Sequence, residues 1–164
     1  MHIMLTRPIE DSKELIFRFK SLGHNVSHLP VINIKKIDIK KISYTDYTGI
    51  IFTSSNAVRF LETKNIDKTI YCFCVGSATE SYALKKGFQN VYAAEGNVEN
   101  LKEIISQYFN KNSGKLLYVS GEVVSSNIHE KLIDLDYQVD RIINYSAQHI
   151  KAVSYTHLRA HETQ

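Results

Sequence analysis

Gly49-Ile50-Ile51-Phe52-Thr53-Ser54-Ser55-Asn56-Ala57-Val58 places hydroxyl and amide side chains directly after an apolar run. Ile50 to Phe52 are β-formers without alternation, the pattern of a strand covered on both faces. Ser54, Ser55 or Asn56 suits the cap of a following helix, whose Ala57, Val58 and Leu61 recur at helical spacing. A helix that starts there points free N–H groups and the positive end of its dipole past the carboxyl end of the strand. That is chemistry for holding an anion. An ordinary capped βα turn has the same sequence, so a single such turn decides little. The motif recurs, however, at Gly76-Ser77-Ala78-Thr79-Glu80 and at Ser120-Gly121-Glu122. Three small-residue turns on one edge of an α/β sheet argue for a binding cleft at that edge.

Other chemistries find less support. Cys72 and Cys74 lie two apart in an apolar strand, so they share a face and frame too short a loop for a disulfide. They read as small buried residues of a reducing compartment rather than a metal or redox site. His2, His24, His28, His129 and His149 show no metal-ligand spacing. The carboxylates form no tight pair suited to hydrolysis. Neither a Gly-x-Gly-x-x-Gly nor a Walker loop follows any strand. The net charge of +3 suits an acidic small molecule and is too diffuse for nucleic acid. Lys35, Lys36, Lys40 and Lys41 alternate with isoleucines as on the solvated face of an extended segment. No stretch is long and apolar enough for a membrane span, and the start lacks the shape of a signal peptide. A cytoplasmic protein is the expectation.

The elements that position these turns follow from period and punctuation. Of the 164 residues, 43% are hydrophobic and 23% charged, a globular composition. His2–Leu5 reads as a strand leading to Thr6-Arg7-Pro8. A helix follows, capped by Asp11 with Glu14 at capping-box spacing, striped by Leu15, Ile16, Phe19 and Leu22, and stopped by Gly23. Val26–Leu29 gives a second strand. Residues 1–30 are thus one βαβ unit, too small to bury its own faces. Residues 31–47 alternate Ile with Lys and Asp as an extended linker.

A fuller α/β pattern occupies 48–146. Strands are predicted at 49–53, 69–75, 88–93, 115–119 and 138–145. Helices are predicted after Asn56, from a Ser77/Glu80 capping box to Gly87, after Asn97 (Leu101, Ile104, Ile105, Tyr108), and through Val124, Ile128, Leu132 and Leu135. Five strands alternating with four helices predict a doubly wound, parallel, flavodoxin-like sheet with right-handed crossovers. Residues 147–152 read as a return linker. Residues 153–164 lose the Lys, Ile and Asn bias and any period, and read as a non-native tail.

With these pieces placed, the chain resembles the uroporphyrinogen-III synthase family. The resemblance rests on Leu5-Thr6-Arg7-Pro8, Phe52-Thr53-Ser54-Ser55-Asn56-Ala57-Val58 and Cys74-Val75-Gly76-Ser77-Ala78-Thr79. It continues through Gly87-Phe88 leading to Val91, Glu95-Gly96-Asn97, Leu117-Tyr118-Val119-Ser120-Gly121 and Asn144-Tyr145. Each motif is short, and their order over residues 3–150 makes the match.

The resemblance implies two α/β domains joined by a two-stranded linker, the first built from both chain ends, with the active site in the cleft between them. It implies a monomeric enzyme without metal or organic cofactor. The substrate would be hydroxymethylbilane, a linear tetrapyrrole rich in carboxylates, closed to uroporphyrinogen III with loss of the terminal hydroxyl and inversion of the last ring. Tyr145 falls where the family has a tyrosine reaching the cleft, able to donate a proton or hydrogen bond to the departing hydroxyl. Thr53, Ser54, Ser55, Asn56, Ser77, Thr79, Ser120 and Gly121 become the expected carboxylate contacts, and Arg7 a cation from the first domain. Residues 1–30 and 48–146 would supply one complete domain and part of another, so this chain by itself is expected to be inactive. The alternative is a non-catalytic flavodoxin-like module that binds a nucleotide or other anion at the same edge.

Overall fold

The computed structural model describes residues 1–151, so the tail read at 153–164 lies outside the described residues. The chain divides into two compact units. One comprises Met1–Ile34 with the described residues from Ala147 on, and the other comprises Lys35–Ser146.

In the first unit β1 (His2–Leu5) pairs in parallel with β2 (Asn25–His28), joined by α1 (Ile9–Ser21). The helix starts before Asp11. Its N-cap is Pro8, and the Asp11 N–H already bonds the Pro8 carbonyl at 3.1 Å. The predicted Asp11 cap is therefore wrong, because the proline turn begins the helix first. Glu10 and Asp11 sit instead in the first turn, where they complement the helix dipole. Gly23, at φ +80°, ends the segment in a conformation glycine adopts without strain.

The second unit is organised on β4 (Tyr47–Phe52), β5 (Tyr71–Val75), β6 (Asn90–Ala94), β7 (Lys115–Gly121) and β8 (Val139–His149, whose last residues belong to the first unit). Helices α2 (Ser55–Phe60), α3 (Ser77–Lys85), α4 (Val98–Tyr108) and α5 (Ile128–Asp134) alternate with them. Neighbours among β4 to β8 run parallel. The six-stranded order is β3-β8-β7-β4-β5-β6, with β3 (Ile32–Lys36) at the edge. The strand at Ile32–Lys36 occupies part of the stretch read as linker, and the five strands predicted over 48–146 are β4 to β8.

Counted from β4, the order is 3-2-1-4-5, not the 2-1-3-4-5 of a flavodoxin-like sheet. The strand order reverses beside β4, between β4 and β7. Sequence period cannot distinguish these orders, because both bury the same apolar runs.

Period-two alternation within buried strands builds two cores. Ile50, Phe52, Cys72, Cys74, Leu117 and Val119 pack with Ala57, Val58 and Ala83 of α2 and α3. Ile51, Phe73, Leu116 and Tyr118 pack with Leu101, Ile105, Ile128 and Leu132 of α4 and α5. One helix pair therefore covers each face, and the strands read as unbroken apolar runs because neither side meets water.

Three local expectations change. The N-cap of α3 is Gly76 at φ +81°, without a side-chain cap, so Ser77 is the first helical residue and no Ser77/Glu80 box forms. Strand β7 runs on through Ser120 and Gly121, and α5 begins only at Ile128, capped by Asn127. Val124 thus precedes the helix, and Leu135 is largely exposed. By contrast, Asn97 caps α4 by accepting from the Asn100 N–H.

Candidate functional site

The reversal of strand order lies between the carboxyl ends of β4 and β7, with β8 beside β7, and open α/β sheets bind ligands at such a point. The first contribution comes from the turn after β4. Ser54 is the N-cap of α2, its hydroxyl accepting from the Asn56 N–H at 3.1 Å. Ser55 begins that helix, half-buried. The amide oxygen of Asn56 is buried without a hydrogen-bond partner. Thr53 turns its hydroxyl toward the Tyr118 hydroxyl, 3.1 Å away.

Tyr118 is fully buried, and burial pushes its phenol up; the neighbouring Tyr145 adds to this, while the Thr53 hydrogen bond and Arg141 act the other way. Its ring carries the Arg141 guanidinium 5.9 Å from the centroid. That cation is held by the end of β7 and the residue that follows it. Nε donates to the Ser120 hydroxyl at 2.8 Å, and Nη2 donates to the Gly121 and Glu122 carbonyls at 2.9 and 3.3 Å. The Ser120 hydroxyl in turn donates to the Gly121 carbonyl at 2.9 Å.

Ser120 and Gly121 are therefore not a helix-opening turn. They stay in the strand because the side chains of β8 lie across them. Gly121 is a close-approach glycine: a Cβ there would fall 2.6 Å from Cζ of Tyr145. Strand β8 shifts register between the pairs Ser120–Ile143 and Gly121–Tyr145. Such a bulge re-aims the side chain that follows it. Tyr145 emerges half-buried, tilted against Phe60 with centroids 6.4 Å apart. Beside it Asn144 is almost fully buried, donating to the Ala57 carbonyl at 2.8 Å and leaving its amide oxygen unpartnered.

The structure thus groups Thr53, Ser120, Gly121 and Tyr145 near the turn of Ser54, Ser55 and Asn56. Ser77 and Thr79 lie one strand away on α3, Ser77 exposed and Thr79 only 4% exposed beneath its helix. Arg7 belongs to the first unit, where its carbonyl accepts from His28 Nε2 and the Ser12 hydroxyl, and its side chain is exposed. Arg141, Tyr118 and Asn144 were missed by sequence reasoning. Tyr118 and Asn144 stand within motifs that carry the resemblance, but nothing in those motifs or in the alternation of β8 shows that Arg141 reaches the edge.

Other features fit the chemistry less well. A polar cavity lined by His2, Lys20, His24, Asn25 and Ser27 lies where β1 and β2 begin, opposite to a carboxyl edge. Cys72 and Cys74 have sulfurs 3.9 Å apart inside a core. Their mutual contact and burial push the Cys72 thiol up, away from the reactive thiolate. No helix among the described residues is long and apolar enough to cross a membrane.

Comparison with known proteins agrees with this architecture. The uroporphyrinogen-III synthase HemD family model matches residues 13–163. Uroporphyrinogen-III synthetase from Helicobacter pylori shares the fold with a TM-score of 0.62 and 16% identity, covering 97% of this chain and 66% of that one. A mutant uroporphyrinogen III synthase from the extremely thermophilic bacterium Thermus thermophilus gives a TM-score of 0.59 and 12% identity, covering 92% of this chain and 64% of that one. The chain therefore spans just under two thirds of the length of these relatives. No curated protein sequence matches it. The match over residues 13–163 places the chain in the uroporphyrinogen-III synthase family.

Proposed function

We propose that the chain supplies one wall of a uroporphyrinogen-III synthase site, acting on hydroxymethylbilane in the cytoplasm as part of a monomeric enzyme. The observation that supports this best is Tyr145, lodged across Gly121 on the strand next to the reversal of strand order and half-open to solvent. In this reading the pyrrole nitrogen lone pair expels the terminal hydroxyl of the substrate. The Tyr145 phenol gives or shares a proton, so that the hydroxyl leaves as water.

Substrate carboxylates would be held by the Ser54 turn, Ser55, Asn56 and Ser77. Each helix-end contact is worth only about 0.3–1 kcal/mol at an exposed site, so several must act together. Thr79, Ser120 and Gly121 would act from behind, since they are buried. Arg7 would offer a further cation to a substrate carboxylate. Holding both ends of the linear tetrapyrrole lets ring inversion outrun direct closure.

The test is a product assay. Hydroxymethylbilane is supplied to this chain and to a chain extended to the length of its relatives, and the type I and type III isomers are resolved. Type III from the extended chain supports the reading. Type I alone, matching the uncatalysed background, discards it in favour of a non-catalytic anion-binding module.

A further inference from the structure

Arg141 is the cation that the sheet edge leaves without a counter-charge. Its guanidinium is half-buried, and three of its N–H bonds are spent on neutral acceptors: the Ser120 hydroxyl and the carbonyls of Gly121 and Glu122. No carboxylate lies within 4.0 Å of it among the described residues, where the ion pairs are Lys102 and Lys131 with Glu99, Lys111 with Asp136 and Lys115 with Asp140. Neutral hydrogen bonds orient a guanidinium without neutralising it, and a partly desolvated charge gains most from an opposite charge. The Nη1 donors have no partner among the described residues. They belong to a planar, delocalised fork whose orientation is set by the hydrogen bonds of Nε and Nη2.

The geometry points to Arg141 as the anchor for one ligand carboxylate at this edge, with Ser120 as the positioning residue that aims it. This rests on the proposed function and deepens it, assigning a carboxylate to a side chain within the second unit. Ser120 acquires a role other than direct contact: its hydroxyl accepts from Nε while donating to the Gly121 carbonyl, so both its orientation and that of the guanidinium are set. Lysine at 141 would restore the charge but not the fork.

The experiment uses the whole 164-residue chain. The ¹⁵N resonance of Arg141 Nε is followed while succinate is added, with succinamide as the uncharged control. Binding of uroporphyrin, a tetrapyrrole bearing eight carboxylates, is then measured for the wild type, Arg141→Gln, Arg141→Lys and Ser120→Ala. Succinate should move the Nε resonance and succinamide should not. Arg141→Gln should weaken uroporphyrin binding about tenfold or more, as loss of a charged hydrogen bond does. Arg141→Lys should recover part of this, and Ser120→Ala should weaken binding a few-fold with the cation still present.

An Nε resonance indifferent to succinate overturns the assignment, whether or not the variants fold. Uroporphyrin binding equally tight in wild type and folded Arg141→Gln does so too, while leaving the synthase reading intact. A succinate response in a chain that ignores uroporphyrin keeps the carboxylate anchor and counts against the tetrapyrrole reading.

Discussion

Gly121 and Tyr145 are partners across β7 and β8, and a Cβ on Gly121 would lie 2.6 Å from Tyr145 Cζ and 2.9 Å from its hydroxyl oxygen. The tyrosine ring therefore occupies the space that any other residue at 121 would fill. What obstructs the added methyl is the far end of a side chain that can swing, not the backbone. Gly121→Ala should keep the fold and cost about 1–3 kcal/mol in a denaturant titration, the usual range for overpacking. Its larger effect should be to push the Tyr145 ring off its seat, visible as shifted ring resonances. In a chain extended to the length of its relatives, Gly121→Ala and Tyr145→Phe should both slow ring closure. Their combination should be less than additive, because both remove the same hydroxyl from the same place. Unchanged turnover with Tyr145→Phe would end the proposed proton role.

Asn144 ties β8 to the first turn of α2 through its 2.8 Å bond to the Ala57 carbonyl. At 1% exposure, its replacement by alanine removes the donor and leaves that carbonyl unpaired. We expect Asn144→Ala to lower stability by about 1–3 kcal/mol, read as a shifted urea midpoint. An unmoved midpoint would show that water replaces the donor at no cost.

Ser54 caps a helix of only six residues, so few other interactions hold that turn in place. Ser54→Ala should cost about 0.5–2 kcal/mol, and Ser54→Asp should be tolerated in a thermal melt because aspartate also caps. Equal melting of alanine and wild type would mean that burial of Ala57 and Val58 alone holds α2.

At the amino end of the sheet, the Tyr47 hydroxyl donates to Asp140 at 2.8 Å. Burial first, then this hydrogen bond and the charge of Asp140, push the Tyr47 phenol up to about 12. The fold favours the neutral phenol over the phenolate. Its contribution is therefore complete below the ordinary tyrosine value of about 10 and is lost as pH rises through about 12. The stability difference between wild type and Tyr47→Phe should stay constant up to about pH 10 and shrink above it. A difference that grows in alkali would reverse the sign and refute the account. The exposed Lys115–Asp140 pair, at 3.7 Å, should add little.

Much of the site's frame is legible in the primary structure. The unbroken apolar run at Ile50–Phe52 specifies a strand buried on both faces, and Asn97 announces its cap by type and position, while Ser54 is one of three residues the sequence offers for the cap of α2. The same reading fails at Ser120-Gly121, because small residues after an apolar run suit equally a turn and a strand crossed by large neighbours. It fails again at Asp11 and Ser77, where Pro8 and the positive φ of Gly76 begin the helices first.

The sequence by itself determined that α/β units alternate, which runs are core, and that a turn with hydroxyl and amide side chains follows the strand ending at Phe52, since periodicity and capping are local properties. Only the tertiary structure decided that the strand order is 3-2-1-4-5, that Tyr145 lies over Gly121, and that Arg141 reaches Ser120. These depend on which strands become neighbours and in what register. Pairing energies between segments distant along the chain decide that, and no local pattern records it.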